Sequence, residues 1–308
     1  MNATAEPLLS VVRPTTVLRT PRLSQRLNAE VTLVSETFQH TGSFKFRAAY
    51  NVAAQVAQRR IITASSGNFG QALAYACSLL GKEAIVVMPS TAAGVKIRAV
   101  REYGATVELI DVNEKRRAQR VAELARDFPD AYIASAYDDP LVIAGNASLG
   151  QEIARLDTAF DAVIVPVGGG GLSSGLIQGL RGSGSTVSII GAEPLLANDA
   201  ARSLQCGCIV ANGAEPQTLA DGARTLSLGR CNWEILHKNM DAIIEVPEAA
   251  IAEGVRLLFE LANLKAEPTA ALAIGALLAE PRRFQQRSLC CVISGGNVDP
   301  LLYRELLT

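Results

Sequence analysis

Residues 161–180 read DAVIVPVGGGGLSSGLIQGL: an apolar run, four glycines, then apolar residues at helical spacing. A run without polar alternation marks a strand buried on both faces, the kind that parallel sheets contain. Glycines leading straight into a helix make it the first half of a β–loop–α unit. Upstream the same rhythm holds from residue 60: RIITAS then GQALAYACSLLG, EAIVVMP then GVKIRAVREYG, TVELID then NEKRRAQRVAELARDF, AYIAS then PLVIAGNASLGQEIARL. Downstream it resumes with VSIIGAEP, AIIEV and SLCCVISGG. This alternation predicts an α/β fold with mostly parallel, twisted sheets flanked by helices and joined by right-handed crossovers. One sheet holding every strand would be very wide, so two sheets are expected.

Composition narrows the function. The chain has 308 residues, enough for two domains or one large α/β unit, and 29 basic against 30 acidic residues leave a net charge of -1. No excess charge is available to attract nucleic acid or an anionic membrane, so a small neutral or zwitterionic partner fits better. Hydrophobic residues make up 49% but aromatics only 5%, so the core is built from Ala, Val, Leu and Ile. The N-terminal stretch shows no basic segment followed by an apolar run, and no segment has the ~18 apolar residues of a membrane span. A cytoplasmic location is the expectation. Cys77, Cys206, Cys208, Cys231, Cys290 and Cys291 follow no framework spacing and are expected as free thiols. Cys206-Gly-Cys208 has no second pair or nearby histidine to complete a zinc site.

Gly168, Gly169, Gly170 and Gly171 let the backbone approach an anion closely, and the free N–H groups of the following helix point at it. A phosphate suits such a loop, although a tight strand-to-helix turn would also use glycines. No Gly-Lys-Ser/Thr follows, and the spacing departs from the dinucleotide fingerprint. A second strand-to-helix loop, ASSGNFGQALAYA at 64–76, carries Ser65, Ser66, Asn68 and Gln71, whose polar groups could hold a substrate carboxylate or a ring substituent.

In QHTGSFKFR, residues 39–47, Lys45 falls in the first turn of a predicted helix with Phe44, Ala48, Val52 and Val56 on one face, and Ser43 or Thr41 is a natural cap. A helix N-terminus and the flanking Phe44 and Phe46 both disfavour an ammonium there. A neutral amine attacks carbonyl carbon, so the position favours a Schiff-base lysine; a snorkelling surface lysine is the plainer alternative.

QHTGSFKFRAA, SSGNFGQALA, PVGGGGLSSG, EPTAAL and SGGNVD occur here in the order found in pyridoxal-phosphate enzymes of fold type II. Over almost its whole length the chain resembles the serine racemase and serine/threonine dehydratase branch. That resemblance implies a tryptophan-synthase-β-like arrangement: a large cofactor domain from residues 1–59 and 146–308, a small domain from 60–145, and a homodimer. It implies that Lys45 carries the cofactor, with Phe44 beside the ring, Asn68 on the ring hydroxyl, Gly168 to Gly171 on the phosphate and Ser294 on the pyridine nitrogen. A hydroxyl in that last place drains the carbanion less fully into the ring than a carboxylate would, which favours elimination over transamination.

In GAEPLLAND, Glu193, the carbonyl of Ala197 and Asp199 resemble the branch's ligands for a divalent cation, Mg²⁺ or Ca²⁺. An acidic pair ahead of a helix would serve equally as a cap. Phe69 stands where this branch commonly has histidine. Ser66 matches the serine that racemases place on the ring face opposite the lysine. The sequence ends soon after SGGNVD, so an appended regulatory domain is not expected.

The expected activity is elimination of water from serine, threonine or 3-hydroxyaspartate, giving a 2-oxo acid and ammonia, with Lys45 removing the Cα proton. Racemisation with Lys45 and Ser66 as opposed bases is the same-chemistry alternative. A nicotinamide oxidoreductase, with Glu193 on a ribose, and a catalytically silent metabolite-binding protein are the readings from other classes. Of the two histidines, His40 is expected to pack or cap its turn rather than act as a base.

Overall fold

The computed structural model describes residues 5–65, 67–92, 94–112 and 114–308. Among these residues ten strands are formed: β1 Thr16–Arg19, β2 Glu30–Ser35, β3 Arg60–Ala64, β4 Glu83–Pro89, β5 Thr106–Ile110, β6 Tyr132–Ala134, β7 Ala162–Pro166, β8 Ser188–Pro194, β9 Ala242–Val246 and β10 Ser288–Ile293. They make a six-stranded sheet, β1-β2-β10-β7-β8-β9, and a four-stranded one, β5-β4-β3-β6. β1 runs antiparallel to β2, and the other pairings are parallel. The strands beyond residue 60 fall where the alternating pattern puts them. β1 and β2, in the first 59 residues, lie outside that pattern.

Side chains alternate between two apolar layers. Leu33, Ile164, Cys291 and Ile293 face one layer, while Val34, Val163, Val165, Cys290 and Val292 face the other. Ile61, Val86 and Met88 divide from Ile62, Ile85 and Val87 in the same way in the smaller sheet. Helix Pro268–Ala279, PTAALAIGALLA, has no charged residue and is buried over most of its length under the larger sheet. Truncating one of these fully enclosed Leu or Ile side chains to alanine typically costs ~2–5 kcal/mol.

Strand order fixes where a ligand can bind. In the larger sheet β8 and β9 lie on one side of β7 and β10 on the other; in the smaller, β4 and β5 lie on one side of β3 and β6 on the other. At each reversal the loops leaving the adjacent carboxyl ends diverge and open a crevice. The loops at these reversals are the glycine run after β7, SGGN after β10, SSGN after β3 and Ser135-Ala136-Tyr137 after β6.

Candidate active site

Lys45 opens helix Lys45–Gln55 just past the end of β2. The approach is stitched to the SGGN loop: Phe44 N donates to Ser294 O at 2.9 Å, Gly296 N donates to Gly42 O at 3.0 Å, and Ser43 bridges Gly295. The expected caps do not form. The residue before the helix is Phe44, which makes no side-chain cap bond, and the hydroxyls of Thr41 and Ser43 are buried without partners among the described residues. Phe44 also leaves the face shared by Ala48, Val52 and Val56 and packs in the layer of Val34 and Leu172.

Lys45 Nζ donates to Ala136 O at 2.7 Å, reaching from the larger sheet to the end of β6. The rings of Phe44 and Phe69 lie 5.0 and 5.7 Å from it. Phe46, expected at the lysine, packs instead with His40 and Tyr75 at 4.8 and 5.5 Å, because successive helix residues point about 100° apart. His40 Nε2 contacts Val11 O at 3.2 Å, so the imidazole sits in packing. Burial lowers the Lys45 amine to about 8, opposed by the nearby Glu267 carboxylate.

Asn68 opens helix Asn68–Leu79. Its Nδ2 donates to both oxygens of Glu267, at 3.0 and 3.1 Å, and its Oδ1 accepts from Asn297 Nδ2 at 2.9 Å. Ser65, expected on a substrate, uses its hydroxyl within the turn: Oγ accepts from Gly67 N at 3.4 Å and Gly70 N at 3.1 Å. Gln71 is buried in the first turn of the same helix. Ser66 lies outside the described residues.

The glycine loop is closely walled. A Cβ at Gly169 would sit 2.4 Å from the Tyr137 ring, one at Gly168 3.0 Å from Ala223 Cα, and one at Gly171 3.0 Å from Tyr137 Cα. Gly170 adopts φ +93, where a side chain is strained in any case. Asn232 braces the loop, its Nδ2 donating to Gly169 O at 2.7 Å and Tyr137 O at 3.1 Å. The loop opens helix Gly171–Gly182, whose first N–H groups have no intrahelical acceptor, so it is suited to an anion such as a phosphate. At the end of β10, Ser294 Oγ is buried and finds no hydrogen-bond partner among the described residues. An enclosed hydroxyl of this kind is suited to a polar ligand atom.

Sequence reasoning missed four participants, Glu267, Asn297, Ala136 and Tyr137. EPTAAL is recognisable as a motif, but it gives Glu267 no role because its partner Asn68 lies 199 residues away. Burial, with Asp221 adding to it, raises the Glu267 carboxyl to about 7, against the lowering effect of Asn68, Lys96 and Lys45. Lys96 itself pairs with Asp221 at 2.8 Å, joining helix Gly94–Glu102 beside the smaller sheet to the loop after Leu219. A folded-state value above the ordinary carboxylate range means that the folded chain holds a proton which the unfolded chain has released. Stability from this group is therefore full below about pH 4.5 and is lost as pH rises through about 7, a change of order 3 kcal/mol. Glu267→Gln keeps an acceptor for Asn68 and removes the titration. Urea unfolding of the cofactor-free protein at pH 5 and 8 is expected to show a smaller loss in the variant, and equal losses would show that Glu267 is not the group responsible.

Glu193 and Asp199 are positioned by β8 and by the helix that follows it. Glu193, on β8, accepts from Ala200 N and Ala201 N at 2.9 Å each and is in register with Glu245 on β9. Burial, then Asp199 and Glu245, push its carboxyl well above the usual range. Asp199 opens helix Asp199–Cys206; its Oδ1 accepts from Asn212 Nδ2 at 2.8 Å, and Oδ2 is buried without a partner among the described residues. Among those residues no group of three or more His, Cys, Asp or Glu side chains is arranged to hold a metal. No helix among them is long and apolar enough to cross a membrane.

The family described as pyridoxal-phosphate dependent enzyme matches residues 8–295. An L-threo-3-hydroxyaspartate ammonia-lyase from Pseudomonas sp is 36% identical over 98% of this chain and 96% of its own. A serine racemase from Homo sapiens is 34% identical over 92% of this chain and 86% of its own. Among solved structures, a threonine deaminase from T.th. superposes with a TM-score of 0.89 and 37% identity, covering 96% of this chain and 97% of that one.

Proposed function

Because the chain belongs to the pyridoxal-phosphate dependent enzymes, we propose that it is an ammonia-lyase converting a small β-hydroxy amino acid into a 2-oxo acid and ammonia. The observation that carries the reading is the Lys45 amine, walled by Phe44 and Phe69 and lowered to about 8, on a turn bonded through Phe44 N to Ser294, whose buried hydroxyl has no partner among the described residues. When bound, the cofactor supplies an electron sink for the charge left at Cα. Lys45 would carry it, and its amine, when free, would take the Cα proton. Gly168 to Gly171 hold its phosphate, Asn68 its ring hydroxyl and Ser294 its ring nitrogen. Backbone N–H groups at the start of helix Asn68–Leu79 and the polar groups of Ser65, Ser66 and Gln71 orient the substrate carboxylate. Ser65 does so from a position fixed by its own turn. Phe69 keeps water from the amine on the side where this branch commonly has histidine. The residues around 60–145 form the small domain over this cleft, and the assembly is a cytoplasmic homodimer.

3-Hydroxyaspartate is the substrate favoured among serine, threonine and itself, on the strength of the Pseudomonas relative's name and its identity to this chain. The test follows 2-oxo acid release from each of the three. The largest kcat/KM is expected for L-threo-3-hydroxyaspartate, and release from none of them would defeat the proposal. Racemisation through Lys45 and Ser66 is the second reading, favoured by the likeness to serine racemase. Enantiomer formation from serine exceeding 2-oxo acid formation would put it first.

We also propose a divalent cation, Mg²⁺ or Ca²⁺, at Glu193, Asp199 and the carbonyl of Ala197. Support comes from Asp199 Oδ2, buried without a partner among the described residues, and from the crowding of Glu193 by the Asp199 and Glu245 carboxylates. Each bonded Glu193 oxygen keeps a further lone pair, and water completes the shell. Chelation is expected to lower thermal stability, and Mg²⁺ at about 100 times its Kd to restore about 2.7 kcal/mol. An unchanged unfolding curve with and without chelator would remove the cation from the account.

A further inference from the structure

Helix Asp199–Cys206 ends on a thiol, and Gly207 after it takes a left-handed conformation at φ 72. That reversal brings the next residue's side chain back over the helix end, so Cys206 Sγ and Cys208 Sγ lie 3.2 Å apart. Both cysteines are exposed, whereas Cys77, Cys290 and Cys291 are buried in the apolar layers. Two sulfurs in van der Waals contact, open to solvent and separated by one glycine, suit neither a core role nor the zinc site already excluded by the lack of further ligands.

We propose that Cys206 and Cys208 form a reversible dithiol–disulfide site that exchanges with small-molecule disulfides such as glutathione disulfide. The proton shared between the sulfurs holds the Cys206 thiol below its ordinary value and the Cys208 thiol above it. Cys206 is thus the first nucleophile. Its thiolate attacks one sulfur of the glutathione disulfide and releases one glutathione thiolate. Cys208 gives its proton to solvent, attacks the Cys206 sulfur of the mixed disulfide and expels the second glutathione. Two protein thiols and one disulfide become one protein disulfide and two glutathione thiols. The turn is wired toward the carboxylates: Val210 N donates to Ser203 Oγ at 2.8 Å, Ser203 Oγ donates to Asp199 O at 2.6 Å, and Asn212 Nδ2 donates to Asp199 Oδ1 at 2.8 Å. Closing the pair therefore acts on the segment that holds Asp199.

The test uses the full chain loaded with pyridoxal phosphate, equilibrated at varied ratios of oxidised to reduced glutathione, then acid-quenched, alkylated and cut with trypsin. Both cysteines fall in one tryptic peptide, Ser203–Arg224. At oxidising ratios this peptide is expected to escape alkylation and to be two hydrogens lighter, and reduced glutathione is expected to reverse the change. Cys208→Ser is expected to retain one glutathione on Cys206. Full alkylation of both cysteines at every ratio, or glutathione adducts in the parent protein without an internal bond, would overturn the proposal.

Discussion

Lys45→Ala is expected to lower kcat for 2-oxo acid release by at least about 10⁴-fold, while leaving a folded protein. A positioned acid–base group alone contributes about 10²–10⁴-fold, and Lys45 is assigned both proton transfer and attachment of the cofactor. Stability is not expected to suffer. The folded-state value of the amine is lowered to about 8, so the stability it costs is regained only as pH rises through about 8 toward 10.5. At pH 7 its removal therefore takes away a desolvated charge and one bond to Ala136 O. Measured kcat within tenfold of the parent, in a variant with an unchanged melting temperature, would contradict the role.

The second large effect lies two residues on. Arg47 has a fully buried side chain, and its guanidinium is forked on Glu36, with Nε to Oε2 at 2.7 Å and Nη2 to Oε1 at 2.9 Å. Nη1 bonds Glu152 Oε1 at 2.6 Å and Ser148 Oγ at 3.0 Å. This network ties the Lys45 helix to the end of β2 and to helix Pro140–Ala154, whose Gly145 packs so closely that a Cβ would lie 2.6 Å from Arg47 O. Arg47→Met leaves two carboxylates in the interior without their cation, and such a loss costs ~3–5 kcal/mol. Adding Glu36→Gln removes one of the stranded charges and is expected to recover part of that. Urea midpoints at constant m-value measure both, and a single-variant loss under ~1 kcal/mol would show that the network is not what anchors the helix.

What was legible in the sequence was local or periodic. β7 announced itself because it is apolar on both faces and runs into glycines. β1 escaped because it is an edge strand of four residues, alternating exposed and half-buried positions, and pairs antiparallel. β2, EVTLVS, has the apolar content of a strand but is followed by a long turn before the helix that carries the lysine. The lysine and the glycine loop were readable as chemistry. Their surroundings were not, since Ala136, Tyr137 and Glu267 reach the site only through the meeting of two crevices. Phe46 shows the converse: adjacency in sequence put it at the lysine, and helical geometry turned it toward His40. Thr41 and Ser43 have capping chemistry, yet the turn is held by backbone bonds to the SGGN loop.

The central claim is that Lys45 is the residue that carries pyridoxal phosphate. Borohydride reduction of the loaded protein fixes the cofactor to whichever amine holds it, and peptide mapping by mass spectrometry reads the position. A single reduced pyridoxyl group is expected on Lys45, absent when the parent is replaced by Lys45→Ala. Stoichiometric label on another lysine, such as Lys96, would contradict it.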